Sequence, residues 1–109
     1  MAATILSCNE QVGNAAFKLS QWVDVIQLDG ATAVTVTVPS TADMALFACD
    51  QPKFYVNINA TAAAPTTTVT TGGASMLNPT FRMVNRGTTF SVFSPTAGFL
   101  HIEWYTRTN

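Results

Sequence analysis

Any acid–base chemistry in this chain of 109 residues has to pass through His101, its single histidine. If "TTFSVF" and "FLHIEWY" pair across the "SPTAG" loop, His101 faces outward, with Ser91 opposite it and Glu103 two residues along the same strand. A Ser-His-Glu grouping is then conceivable by spacing. Nucleophilic catalysis also needs a serine held in a cleft, donors for the oxyanion and exclusion of water. A flat strand face supplies none of these, so His101 is expected to be a solvated surface residue and the protein not to be an enzyme.

Other chemistries fare no better. Cys8 and Cys49 lie far apart in sequence and His101 has no second histidine, so the close ligand pairs of zinc sites are missing. Asp24, Asp29, Asp43, Asp50 and Glu103 are dispersed, without the spacing of a calcium loop. Gly72-Gly73 stands among Thr and Ala and makes no phosphate cradle. No metal or other cofactor is expected. The basic residues Lys18, Lys53, Arg82, Arg86 and Arg107 are scattered in a chain of net charge −1, which argues against a direct nucleic-acid ligand. The apolar run "MALFAC" is far shorter than the ~20 residues that span a bilayer. "MAATILSC" lacks the positive start and the apolar length of a secretion signal, so no export is expected and both cysteines are read as small buried hydrophobes.

The elements that must position these residues are strands. Apolar residues alternate with period 2, Thr and Val dominate the runs, and Gly, Pro, Asn or Asp interrupt them at short intervals. In "WVDVIQLDGATAVTVTV" the pair Asp29-Gly30 suits a two-residue hairpin turn that sets Val25 opposite Val34 and Val23 opposite Val36. Trp22, Asp24, Ile26 and Leu28 then share the other, outer face. A second unit runs "TFRMV", "TTFSVF", "FLHIEWY", with Arg86-Gly87 turning the first pair. It places Phe81, Met83, Phe90, Val92, Leu100, Ile102 and Trp104 toward the core and leaves Phe93 and Phe99 outside. With "MALFA", "KFYVNI" and a first strand near "ATILS" the count reaches seven or eight, while residues 12–20 suit a helical turn or an edge strand equally. The expected fold is all-β: one domain over residues 1–109, an antiparallel two-sheet β-sandwich, with the jelly roll among its forms.

Residues 59–75, "NATAAAPTTTVTTGGAS", carry no charge and no aromatic ring. They are too long for an ordinary connection. The expectation is a long Ala/Thr-rich arm that either adds to a neighbour's sheet edge or lies as a surface loop. Charged residues form only 10% of the chain, against about a quarter in soluble domains. A surface so poor in charge points to burial against other copies or a partner, and Trp22, Ile26, Phe93, Phe99, Thr67 and Val69 are the candidate contact residues. Exposed aromatics also suit two other uses: stacking on sugar rings, as in a carbohydrate-binding module of a phage fibre or adhesin, or packing within the chain.

The stretch from Phe54 to Tyr105 adds a resemblance. The strand "FYVNIN", the Ala/Thr tract, Gly72-Gly73, Pro79 ahead of the next strand and "GTTFSVFSPTAGFLHIEWY" are similar in style to small all-β structural proteins of tailed-bacteriophage virions, the capsid decoration or cement proteins. Asn59 stands where many of these carry glycine. The resemblance implies a non-catalytic protein made in the host cytoplasm and located in the virion. Such a protein binds the major capsid protein or another virion protein as a symmetric oligomer, a homotrimer by preference, and reinforces contacts between capsomers. A tail or head-completion subunit is the neighbouring alternative.

Overall fold

The computed structural model describes residues 19–107. The strand expected near "ATILS", residues 12–18 of the undecided segment, and Cys8 lie outside the described residues. Eight strands follow in order: β1 (Trp22–Leu28), β2 (Val34–Thr37), β3 (Met44–Cys49), β4 (Tyr55–Asn57), β5 (Met76–Leu77), β6 (Phe81–Met83), β7 (Thr89–Phe93) and β8 (Gly98–Tyr105). They form two antiparallel four-stranded sheets, ordered β1-β8-β3-β6 and β2-β7-β4-β5. The protein is an all-β two-sheet sandwich, as the alternation and turn spacing indicate.

The pairing differs from the expected hairpins. β1 bonds to β8 and β2 to β7, so Val25 lies beside His101 and Val34 beside Val92. Every connection except β4–β5 crosses from one sheet to the other, including those at the three expected hairpin turns, 29–33, 84–88 and 94–97. Only β4 and β5 are consecutive and paired. Asp-Gly serves the first crossing as a corner: Asp29 Oδ1 accepts the Ala31 and Thr32 N–H groups at 2.8 and 2.7 Å, and these bonds hold its carboxyl below the usual range. Gly30, at φ +83°, backs onto the 94–97 corner, where a Cβ would stand 3.1 Å from Ala97 N. A hairpin turn of type I′ needs positive φ at both central residues; here Gly30 has it and Asp29 does not.

This crossing inverts the expected faces of β1. Ile26 and Leu28 turn toward the second sheet, and Val23 and Val25 turn out. Asp24 sits on the inward side without an unpaired oxygen, since Trp104 Nε1 donates to Oδ2 at 2.8 Å and Trp22 Nε1 to Oδ1 at 3.2 Å. Donors so placed offset the desolvation that a carboxylate suffers between sheets.

The core follows the expected side of β7 and β8. Phe90, Val92, Leu100, Ile102 and Trp104 are buried with Val36, Val38, Phe47, Phe54 and Val56. Their rings meet edge-on or tilted: Phe47–Phe90 at 5.9 Å, Phe47–Phe54 at 6.0 Å and Phe90–Trp104 at 6.4 Å, separations that favour aromatic pairing. Phe81 and Met83 do not join it. They lie on β6, which pairs with β3, so Phe81 is half-buried and Met83 exposed on the outer side. Cys49 is half-buried against the core and free.

Candidate functional site

The two sheets present outer faces of opposite character. On the first sheet, register places Val23, Val25 and Gln27 of β1 beside Glu103, His101 and Phe99 of β8. Leu46 and Ala48 of β3 lie on the other flank of the same strand, with Met44 beside Tyr105, and Phe81 and Met83 follow on β6. Apolar columns thus border a central strand whose only ionisable side chains on this face are His101, Glu103 and Tyr105. Val25 is 53% exposed, Phe99 43% and Met83 62%. Phe81 and Tyr105 touch edge to face at 6.1 Å. Burial, and then the negative charge of Glu103, push the Tyr105 phenol above its ordinary value.

The second sheet faces out with Thr35, Thr37, Thr89, Ser91, Tyr55 and Asn57, and residues 58–75 fold back over part of it. Ala62 N donates to Ser91 Oγ at 2.9 Å and is itself buried beneath the loop. Asn57 is the hinge of this cover. Its Nδ2 donates to Gly73 O (3.0 Å) and Ser75 Oγ (3.2 Å), and its Oδ1 accepts from Asn59 N and Ala60 N. Both ends of the Ala/Thr segment are therefore tied to the chain's own sheet. The tip, with Thr67 and the 72% exposed Val69, stands out in solvent. There Thr67 Oγ1 donates to Val69 O at 3.0 Å.

The six candidate contact residues are dispersed. Trp22 is half exposed at the start of β1, on the inward parity, with its indole N–H on Asp24. Ile26 packs against the core and is withdrawn from the surface. Phe93 is half-buried, stacked on Tyr55 at 6.5 Å on the second sheet, whereas Phe99 lies on the first. The Ser-His-Glu grouping does not form, because Ser91 and His101 occupy the outer faces of different sheets and Ser91 is engaged by the loop. Among the described residues no three His, Cys, Asp or Glu side chains gather, and no helix is long and apolar enough to cross a membrane.

The residues missed by sequence reasoning are Val23, Val25, Met44, Leu46, Phe81 and Met83. One signal was available: "MALFAC" is apolar at every position, the mark of a strand whose two faces both avoid water. Just ahead of β3, Asp43 ties the segment that follows β8 to the 84–88 crossing. It takes both prongs of Arg86 at 2.8 and 2.9 Å and the Arg107 N–H at 2.8 Å, and these bonds hold its carboxyl well below the usual carboxylate range.

Comparison with models of protein families, with curated proteins and with solved structures finds no match to this chain.

Proposed function

We propose that the protein is a non-catalytic structural component of a virion, a capsid decoration or cement protein that acts as a homotrimer and stabilises contacts between capsomers. The observation that carries this proposal is the outer face of the first sheet, where Val23, Val25, Phe99 and Met83 stand exposed with no cover among the described residues. Exposed large apolar side chains grouped on one face of a small domain mark a place where another molecule sits, and the scarcity of charge over the whole chain agrees with burial on assembly. The strand order supports it further. We read β1-β8-β3-β6 against β2-β7-β4-β5 as a jelly roll, an architecture shared by viral capsid and lectin domains. The similarity of residues 54–105 to decoration proteins points the same way. Repeated over a shell, individually weak contacts hold through avidity.

Native mass spectrometry and co-sedimentation with empty capsid shells test the proposal together. The expected result is a trimer, in solution or on the shell, that Val25→Glu with Leu46→Glu abolishes while leaving the fold intact. A chain that stays monomeric at high micromolar concentration and never sediments with shells would overturn it.

A further inference from the structure

The sandwich is not closed along the side where two short edge strands lie. β6 and β5 are edge strands on the same side of their respective sheets, three and two residues long. Between them opens a slot of about 180 Å³. Its floor is core: Phe47, Val56 and Phe90, all buried. Its rim carries Met76, which pairs with Val56 and so faces inward, Met83, and Arg82.

Volume limits what can enter. A dry apolar cavity of about 150 Å³ takes up benzene, whereas pockets for larger organic ligands start at roughly 300 Å³. The slot therefore accepts one ring or one short branched chain. Charge narrows the choice further. Arg82 stands opposite Ala45, on the inward parity of β6, and its guanidinium donates to the neighbouring Phe81 carbonyl at 2.9 Å. Among the described residues it forms no ion pair with a carboxylate. A guanidinium at the mouth of an apolar slot fits an occupant that is apolar at its tip and anionic beside it. Among the described residues β5 and β6 end their sheets, so an extended segment can lie along the same mouth and send one side chain inward.

We propose that this slot is a socket for an extended segment of a partner protein, in which a Phe- or Leu-sized side chain fills the cavity and an adjoining Asp or Glu pairs with Arg82. The proposal rests on the assembly reading above and names the chemistry of one contact in it. A buried anchor ringed by a charge pair is the form in which a small part of an interface supplies much of its affinity.

The test uses N-acetyl-Asp-Phe-amide as probe and methionine-methyl NMR of the full chain as readout. Saturable shifts are expected for Met76 and Met83, with millimolar affinity, while Met44 on the outer face stays still. Replacing Asp by Asn, or Phe by Ala, in the probe should weaken binding at least fivefold. Arg82→Gln should erase the Asp-over-Asn preference and keep the Phe-over-Ala preference. Arg82→Lys, which keeps charge but not the forked geometry, should retain part of the first preference, and it serves if the glutamine variant fails to fold. No saturation, equal shifts at Met44, or equal binding of the Asp and Asn probes would overturn the socket. Those results leave shell attachment through the apolar face untouched, and failure of attachment leaves probe binding untouched, so the two ideas fail separately.

Discussion

The outer faces of the two sheets are built from the same alternation and end in opposite states. The second sheet turns Thr, Ser, Tyr and Asn outward and still receives a cover from its own chain, fastened at Ser91 and Asn57. The first turns Val, Leu, Met and Phe outward and, among the described residues, receives no loop of comparable length. Polar side chains on the second face offer hydrogen bonds that can hold a loop of small residues. On the first face the side chains that can hydrogen-bond are Gln27 and the His101, Glu103 and Tyr105 column, and the valines and methionines beside them suit another apolar surface. On the second sheet the cover is held by side chains that bond backbone amides.

Substitutions along a single strand break this comparison most sharply. Ile102→Ala removes a fully buried side chain of β8 and should cost about 2–5 kcal/mol in denaturant unfolding. His101→Ala, its outward neighbour, should stay within about 0.5 kcal/mol of the parent. A large loss for His101 would mean that the first face is packed by something within the chain. Next comes the clasp. Asn57→Ala deletes four bonds to the loop and should cost about 1–3 kcal/mol, with residues 59–75 becoming the first site of proteolysis. Equal protection of that segment in the variant would show that it is held by other means.

On the apolar face the expected stability change is smaller and the association change larger. Val25→Glu should leave unfolding within about 0.5 kcal/mol and lower binding of a hydrophobic dye as well as self-association. The smallest effect concerns pH. Asp43 has a folded-state pKa below its unfolded value, so its contribution is fully present above the unfolded value of about 3.9 and is lost as pH falls through the folded one. Thermal unfolding should therefore ease progressively below about pH 4, and Asp43→Asn should flatten that dependence. An unchanged pH profile in the variant would remove the Arg86 pair from the account.

Much of the molecule was legible before its structure. The strands at 22–28, 34–37, 44–49, 55–57, 81–83, 89–93 and 98–105 follow from alternation and turn residues, and the core side of β7 and β8 follows from bulky residues confined to one parity. Partners were not legible. Asp-Gly and Ser-Pro-Thr-Ala-Gly satisfy a sandwich corner as well as a hairpin, because both need a reversal and only the sheets decide which strand lies alongside. The parity of β1 failed for a related reason. Val23 and Val25 compete with Ile26 and Leu28 for the interior, and Asp24, which shares the parity of Ile26 and Leu28, is accepted inside by two indoles. The candidate interface inherited that error at Ile26 and gained Phe99 from the correct parity of β8.

Strand order also has a consequence for synthesis. β8 is the interior strand to which both β1 and β3 bond, yet it leaves the ribosome after the other seven. Until it emerges, β1 has no bonding partner in the described sheet, and among consecutive strands only β4 and β5 are paired with each other. Contacts so distant along the chain slow folding toward the millisecond-to-second range of all-β domains. Nascent chains stalled before Gly98 should remain without the first sheet, exposing aliphatic surface to the chaperones that greet unfinished polypeptides.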